Sequence, residues 1–228
     1  MTNENLKCYY TIINGLTSYE TGIEIQSRAK DLVMSGHADC ILILLQHSPV
    51  FSVGKAGGAE NILMSESFLK EKGIEVHKSD RGGNVTYHGP GQIVGYPIMN
   101  LKKFKPDVHW YFNQLEQVII DTLKDNGLVG ERKVKYPGAW IGDKKIAAIG
   151  VHISKWITTH GFSINISVNK EHFNYINPCG IVEFGITSLD EMCDIEFNQI
   201  ELQLKDNFAR VFGIELIKLV HLHDMSFW

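Results

Sequence analysis

The sequence has few of the features that mark secreted, membrane or nucleic-acid-binding proteins. Its 228 residues include four cysteines, none in a Cys-x-x-Cys pair, and a chain this long needs no disulfide framework to hold a core. No apolar run approaches the length of a membrane span, and the polar start of the chain lacks the apolar segment of a secretory signal. The net charge of −4 provides no basic excess for nucleic acid. We therefore expect a cytoplasmic protein with reduced thiols that binds neither nucleic acid nor membrane.

Several common nucleotide and hydrolase motifs are also missing. The Gly-Lys pair at 54–55 lacks the upstream glycine and the following Ser or Thr of a P-loop. The Gly-Pro-Gly at 89–91 is not followed by the third glycine of a dinucleotide fingerprint, because that position is Val94. Residues 161–165 lack the closing glycine of a nucleophile elbow. These absences argue against the reactions that depend on those motifs.

Apolar patterning predicts strands and helices without strict βαβ alternation. The continuous apolar run from Cys40 to Leu45 indicates a buried strand, and Thr17 is the expected N-cap of the helix before it. The strongest helix has Asp107 as its cap and an apolar stripe from Val108 to Leu123. Strands in hairpin-like succession favour an α+β fold with a mixed sheet flanked by helices. We found no repeat or linker, so we expect a single domain over residues 1–228.

The first candidate functional segment is the glycine-rich run from Arg81 to Gln92. Its glycines allow unusual backbone angles and let a ligand approach the main chain. Successive amides in such a turn can form a nest for an anion or an oxyanion, with Arg81 and His88 as flanking donors. The alternative is a tight turn with a structural arginine, and composition alone leaves both interpretations open.

Two further segments supply a lysine and a cysteine. Lys145 begins an apolar strand, where it either lies at the strand end with its ammonium in water or enters a site. The small residues within 147–150 leave room for a ligand or for a neighbouring helix. Cys179 lies between Pro and Gly in a polar loop, and a nearby lysine ammonium would lower the pKa of such a thiol. Cys40, by contrast, is expected to be an inert core thiol.

Taken in this order, the segments resemble the family of LipB-type lipoyl(octanoyl) transferases. The hallmark block is Arg81-Gly-Gly-x-x-Thr-Tyr-His88-Gly-Pro-Gly-Gln92, followed by Gly95-Tyr-Pro-Ile98. The resemblance covers about residues 40 to 215. Three residues depart from the usual family pattern of Thr, Arg and a small apolar residue, namely Ser52, Lys55 and Ser163. Further matching blocks are Pro137-Gly-Ala-Trp140, Lys145-Ile-Ala, His160-Gly with Asn165, Pro178-Cys179-Gly180 and Gly185-Ile-Thr-Ser-Leu189.

The resemblance implies a fold shared with the catalytic domains of biotin and lipoate protein ligases, and a role for each segment. Cys179 matches the nucleophile that forms an acyl thioester. Lys145 matches the lysine that lowers the pKa of this cysteine and acts as acid and base. The residues that match the substrate-binding segments are Arg81, Gly82, Gly83, Asn84, Val85, Thr86, Tyr87, His88, Ala148, Ile149, Gly150, Gly161, Phe162 and Ser163.

These roles predict an acyltransferase of lipoate biosynthesis that moves octanoyl from acyl carrier protein to a lysine. The implied acceptors are the lipoyl domains of 2-oxoacid dehydrogenase complexes and the glycine-cleavage H protein. A thioester donor is already activated, so we expect no cofactor, ATP or metal, and the octanoyl group on the carrier's phosphopantetheine is substrate. Because the carrier is acidic, a local basic patch is expected, and two runs could supply it: Lys102, Lys103 and Lys105, or Arg132, Lys133 and Lys135. The alternative for either run is merely solvated surface, which is the more common role of such a run.

Three alternatives stay open on sequence grounds. A lipoate-protein ligase on the same scaffold would activate free lipoate with ATP and would not need Cys179. An amidotransferase would share the thioester intermediate but take its acyl group from another protein lysine. A non-catalytic binding module would tolerate the loss of both Cys179 and Lys145.

Overall fold

The computed structural model describes residues 6–57, 59–177 and 185–219. Within these ranges the helices are α1 (Tyr19–Met34), α2 (Glu66–Glu71), α3 (Val108–Asp125) and α4 (Phe197–Phe212). The strands are β1 (Cys8–Thr17), β2 (Cys40–His47), β3 (Val50–Val53), β4 (Glu75–Lys78), β5 (Val85–His88), β6 (Gln92–Met99), β7 (Glu131–Lys133), β8 (Tyr136–Ile141), β9 (Lys144–Ser154), β10 (Ile157–Asn165), β11 (Gly185–Ile186) and β12 (Ile217–Lys218).

A large mixed sheet forms the centre of the structure. Its strand order is β12-β1-β2-β6-β10-β9-β8-β7, and β11 pairs with β9 outside this path. The pairs β12-β1, β1-β2 and β11-β9 are parallel, whereas the pairs from β2 onward along the path are antiparallel. A smaller sheet has the order β4-β3-β5. The predicted mixed, largely antiparallel sheet flanked by helices is confirmed.

Strand β2 shows why its apolar run is continuous. Leu42 and Leu44 belong to the core cluster that includes α3 and α4, whereas Ile41, Ile43 and Leu45 belong to the cluster beneath α1. Successive side chains of a strand point to opposite faces, so a strand covered on both faces is apolar at every position. Helices on both faces therefore hold the central strands in place and leave the pocket described below at the antiparallel end of the sheet.

Two helix starts test the predicted capping residues. Asp107 caps α3 as predicted, and its Oδ1 accepts from the Trp110 amide at 3.0 Å. The prediction of Thr17 as the cap of α1 was wrong by one residue: Ser18 Oγ accepts from the Thr21 amide at 3.1 Å. Thr17 is still part of β1, where it pairs with His47, so its backbone is not available to begin a helix.

The glycine-rich run, predicted as a turn, contains strand β5. Val85 and Tyr87 are fully buried in a third core cluster with Phe51 of β3, so alternate residues of β5 anchor the run to the small sheet. Cys40 is fully buried opposite Cys8, and burial raises its pKa well above the usual value, as expected of a core thiol. In the described part of the chain, no helix has the length and apolar character needed to cross a membrane.

Candidate active site

A pocket of about 100 Å³ lies where the large sheet meets the glycine-rich run. Its walls come from the neighbouring strands β6, β10, β9 and β8, with β5 and β11 completing them. Because β6, β10, β9 and β8 are consecutive antiparallel neighbours in the sheet, residues that are distant in sequence lie together around the pocket. The lining includes Lys145 and every predicted substrate-binding residue except Asn84 and Tyr87.

The two exceptions have structural contacts elsewhere. Asn84 Oδ1 accepts from Asn61 Nδ2 at 3.1 Å and from the Val85 amide at 2.6 Å. The Tyr87 hydroxyl lies 2.8 Å from His172 Nδ1, and the ring is fully buried in the third core cluster. These contacts shape the glycine-rich run and the small sheet, and they give no support to direct substrate contact by either side chain.

Cys179, the predicted nucleophile, lies outside the described residues, as does its neighbour Gly180. The described cysteines are Cys8 and Cys40, which are buried, and Cys193, which is partly buried. Cys193 Sγ lies 3.8 Å from the Leu189 carbonyl oxygen, and burial, with the charge of Asp194, raises the pKa of this thiol. None of these three thiols is among the pocket-lining residues.

Lys145 enters the pocket instead of ending in bulk water. It pairs with Trp140 of β8, and its Nζ lies 5.3 Å from the centroid of the Trp140 ring, within the range of a cation–π interaction. Gly138 leaves space for this lysine, because a Cβ at Gly138 would come within 2.9 Å of Lys145 Cε. The Pro-Gly-Ala-Trp block therefore has a direct physical relation to the lysine that follows it.

Arg81 fits the structural alternative that the sequence left open. The side chain is buried, its Nε donates to Ser52 Oγ at 3.0 Å, and its Nη1 donates to the Gly82 carbonyl at 3.0 Å. Its Nη2 donates to both the hydroxyl and the carbonyl oxygen of Ser52. The guanidinium thus fastens the glycine-rich run to β3 while its surface forms part of the pocket wall.

Some amides of the glycine-rich run are committed to the fold. The Gly82 amide donates to the Val151 carbonyl at 2.9 Å, and the Gly91 amide donates to Gln46 Oε1 at 2.9 Å. The Gln92 amide donates to the Gly89 carbonyl at 3.1 Å. The first two hold the run against β9 and β2, and the third closes a turn within the run, so none of the three is a candidate for stabilising an oxyanion.

A chain of side-chain amides fixes the neutral form of His88. His88 Nδ1 lies 2.7 Å from Gln92 Oε1, and Gln92 Nε2 donates to Asn165 Oδ1 at 2.9 Å. Asn165 Nδ2 donates to the Thr187 carbonyl oxygen at 3.0 Å. A carbonyl oxygen only accepts, so it sets the direction of each bond in the chain. The proton of neutral His88 therefore lies on Nδ1, and Nε2 has the lone pair.

The same histidine stays uncharged near neutral pH. Burial lowers the pKa of His88 to about 3, and the nearby charges of His47 and Arg81 contribute in the same direction. A neutral ring with its proton on Nδ1 accepts a hydrogen bond at Nε2 and does not donate one there. This differs from the donor role that the sequence predicted for His88.

Two more histidines were not predicted as site residues: His160 lines the pocket, and His47 lies behind it in contact with the lining residue Tyr96. His47 Nδ1 lies 2.9 Å from the Thr17 carbonyl, and its Nε2 accepts from the Tyr96 hydroxyl at 2.7 Å. Burial lowers the pKa of His47 to about 4. His160 lines the pocket with a backbone φ of +58°, and its Nε2 lies 2.7 Å from Asp80 Oδ1. A non-glycine residue in this left-handed region is uncommon and often marks a functional site.

The wall that would meet an acyl tail is apolar. Phe162 is buried and lies across from Gly95 of β6 and Ile149 of β9. A Cβ at Gly95 would come within 2.5 Å of the Phe162 ring, so glycine is needed for this close approach. Ser163, which departs from the usual family residue, pairs with Ala148 on the same wall. The described residues contain no cluster of three or more His, Cys, Asp or Glu side chains suited to a metal ion.

The two basic runs are mostly engaged in ion pairs. Lys103 Nζ lies 3.8 Å from Asp39 Oδ1, and Lys105 Nζ lies 3.2 Å from Asp107 Oδ2. In the second run, ion pairs with nearby carboxylates are formed by two side chains, Arg132 with Glu116 and Lys133 with Asp143. Pairing of this kind reduces the net positive field that either run presents to an acidic partner.

The comparison with known proteins decides the family. The chain matches the family model described as lipoyl protein ligase A/B catalytic domain over residues 12–209. The chain belongs to this family. It is 52% identical over 213 residues to an octanoyltransferase of Clostridium kluyveri, covering 93% of this chain and 91% of that protein. It is 45% identical over 207 residues to an octanoyltransferase of a Thermoanaerobacter species, covering 90% of each.

Solved structures agree on the fold. The TM-score is 0.75 to P. falciparum LipL1 in complex with lipoate, at 14% identity, covering 96% of this chain and 68% of that one. It is 0.55 to a biotin protein ligase of Aquifex aeolicus in complex with biotin and ATP, at 13% identity, covering 90% and 70%. At such identities the likeness concerns the fold alone. The predicted biotin and lipoate ligase fold, the predicted family and the predicted acyltransferase class are confirmed.

Several pocket residues stand in the sequence motifs but were not predicted as site residues. Gln92, Trp140, His160 and Asn165 all stand in the matching blocks, and each lines the pocket. The block pattern was therefore a usable signal for them. Tyr19 also lines the pocket, but it opens a surface helix and has no local signal that would distinguish it from other helix residues.

Proposed function

We propose that this chain transfers an octanoyl group from acyl carrier protein to a specific lysine of lipoyl-domain proteins, through a thioester on Cys179. The observation that carries the proposal is the placement of Lys145 in an apolar pocket formed by the family's hallmark segments. The relatives named octanoyltransferases support the choice of acyl group. The proposed acceptors are the lipoyl domains of 2-oxoacid dehydrogenase complexes and the glycine-cleavage H protein.

The proposed first half-reaction is acylation of the cysteine. The Lys145 ammonium favours the Cys179 thiolate by charge proximity, and the thiolate attacks the thioester carbonyl of the donor. The new carbon–sulfur bond to Cys179 forms as the bond to the phosphopantetheine sulfur breaks. Lys145 then gives its proton to the departing thiolate, so the carrier leaves as a free thiol and Lys145 becomes neutral.

The proposed second half-reaction discharges the thioester onto the acceptor. The neutral amine of the acceptor lysine attacks the acyl carbonyl, and neutral Lys145 takes the proton that this nitrogen loses. The amide bond forms as the bond to Cys179 sulfur breaks, which restores the thiolate and the ammonium. The first step exchanges one thioester for another, and the second converts a thioester into a more stable amide, so the proposed reaction uses no ATP, metal or other cofactor.

The apolar wall and the neutral His88 fit this scheme. Transfer of an octanoyl chain from water to a wall built from residues such as Phe162 and Ile149 lowers its free energy. His88 Nε2 has a lone pair, so it is suited to accept a hydrogen bond from the acceptor amine or from the amide of the phosphopantetheine arm. Its pKa of about 3 makes it a hydrogen-bond acceptor and not the base that removes the proton.

The test is an intact-mass measurement of the purified protein after mixing with octanoyl-acyl carrier protein in the absence of ATP. We expect one octanoyl group on the wild type, none on Cys179→Ala, and an unchanged adduct on the control Cys193→Ala. Addition of a lipoyl domain should remove the adduct and octanoylate the domain. Lys145→Arg keeps a cation but lacks a base at neutral pH, so it should acylate but discharge slowly.

The alternatives predict different outcomes. Activity that appears only with ATP and free octanoate would indicate a ligase. Transfer from an octanoylated or lipoylated protein lysine, without transfer from the carrier, would indicate an amidotransferase. Binding of a lipoyl domain with no adduct under any of these conditions, and no effect of Cys179→Ala, would indicate a non-catalytic module.

A further inference from the structure

The Trp140 indole lies between two lysines on adjacent strands. Lys145 Nζ, from β9, lies 5.3 Å from the ring centroid, and Lys133 Nζ, from β7, lies 4.8 Å from it. Trp140 is buried, and its Nε1 donates to the Tyr136 carbonyl at 3.1 Å, which fixes the ring plane. In the strand order β9-β8-β7, the two lysines belong to the two strands that flank the strand of Trp140.

The two lysines contact the same ring from different surroundings. Lys145 lines the pocket, whereas Lys133 stands on the terminal strand of the described sheet and forms a 2.7 Å ion pair with the exposed Asp143. The face of an indole carries negative electrostatic potential, so each ammonium is stabilised by it. Two like charges that share one ring also repel each other, at a separation of no more than about 10 Å.

We propose that Trp140 is a positioning residue that holds the Lys145 ammonium inside the pocket, and that Lys133 weakens this hold by charge repulsion across the same ring. The inference rests on the proposed function, in which Lys145 must be charged beside the cysteine and then become neutral. A cation that is held too strongly would be a poor base in the second half-reaction. A second cation on the ring reduces the stabilisation and so eases this loss of charge.

Other charged and titratable groups also face this lysine. On the pocket side they are Arg81, His88, His160, Tyr19 and Tyr96, which share the cavity with it. Below β8, the Glu116 carboxylate of α3 accepts from the Gly138 amide and pairs with Arg132. The variants below leave all of these groups in place, so a change in Lys145 ionisation is assigned to the ring and its second cation.

The experiment reads Lys145 directly and without substrate. Lysine labelled with carbon-13 at Cε allows each side chain to be titrated by NMR, and Lys145→Arg identifies the Lys145 signal. We expect this signal to show an upfield ring-current shift in the wild type. In Trp140→Leu the shift should vanish, and the pKa of Lys145 should fall by about 0.5 to 1, a three- to tenfold change in ionisation. Trp140→Phe, which restores an aromatic face, should recover part of both effects.

The surface lysine provides the opposite sign. Lys133→Met removes the competing cation, so the pKa of Lys145 should rise by about 0.3. The matched control is Lys144→Met, which removes an equal charge next to Lys145 in sequence and should change the pKa less. This arm does not alter the core, so it stands even if Trp140→Leu fails to fold.

Two results would overturn the inference. One is a Lys145 signal with no ring-current shift in the wild type. The other is a pKa that moves equally in Lys133→Met and Lys144→Met, which would show that Lys133 affects Lys145 no more than any other nearby lysine does. Because no substrate is present, these results are independent of the octanoyl-transfer test, whose failure appears as a missing adduct on Cys179.

Discussion

The buried His47 should make the stability of the folded chain depend on pH. Burial lowers its pKa to about 4, whereas the same ring in an unfolded chain titrates near its ordinary pKa of 6.5. The unfolded state therefore binds more protons than the native state as the pH falls below 6.5. The stabilising contribution of neutral His47 is complete above this value and is lost progressively as the pH falls toward 4.

The size of the effect follows from the two pKa values. Between pH 7.5 and pH 5, protonation of the unfolded chain at this one site removes about 2 kcal/mol from the free energy of unfolding. His47→Gln should abolish this term with little change of contacts. The amide can donate to the Thr17 carbonyl and accept from the Tyr96 hydroxyl, as the ring does now.

The assay is urea denaturation of wild type and variant at both pH values, followed by tryptophan fluorescence. We expect the wild type to lose about 2 kcal/mol more than His47→Gln between pH 7.5 and 5. The exposed His37 supplies the control, because His37→Gln should keep the wild-type dependence on pH. Parallel losses in wild type and His47→Gln would refute the reasoning, since they would place the pH dependence at other groups.

Two further predictions concern the pocket. Gly95→Ala puts a methyl group against the Phe162 ring, so the rate of octanoyl adduct formation should fall about tenfold or more. The rate with a shorter hexanoyl donor should fall less. Equal losses for both donors would contradict a role of this wall in selecting the length of the acyl chain. Nitrogen-15 NMR of His88 should show a neutral ring with the proton on Nδ1 between pH 5 and 8. Asn165→Ala should weaken the preference for this tautomer over the one protonated on Nε2. A proton on Nε2 in the wild type would contradict the hydrogen-bond directions assigned to the chain of side-chain amides.

Elements whose pattern is decided locally were predictable from the sequence. Strand β2 is apolar at every position because both faces are covered, and α3 has a cap and a long apolar stripe. The cap of α1 was misplaced because Thr17 and Ser18 are both capable residues. Only the pairing of Thr17 with His47 shows which of them still belongs to the strand. Strand β5 was hidden because its four residues lie within a glycine-rich run that also fits a turn.

The pocket was predictable where the motifs are contiguous and not where contacts are tertiary. Lys145 and the runs at 81–88, 148–150 and 161–163 were identified from family blocks, and nearly all of them line one cavity. His47 and Tyr19 have no such signal, because their relation to the pocket arises from how β2 and α1 pack on β6. The structural role of Arg81 was likewise not predictable, because it depends on hydrogen bonds that its guanidinium donates to Ser52 of β3, a tertiary contact.

The neutral histidines bear on the proposed role of Lys145 as the cation that takes part in the reaction. Burial lowers the pKa of His47, His88 and His160, so at neutral pH none of them adds positive charge beside Lys145. Arg81 is charged, but its donors are directed to Ser52 and Gly82. If the three imidazoles were protonated, their repulsion would lower the pKa of Lys145 and weaken the pairing with the Cys179 thiolate that the proposed mechanism requires. Burial keeps the three histidines uncharged, and the Trp140 ring stabilises the Lys145 ammonium. Both effects therefore favour Lys145 as the cation of the proposed reaction.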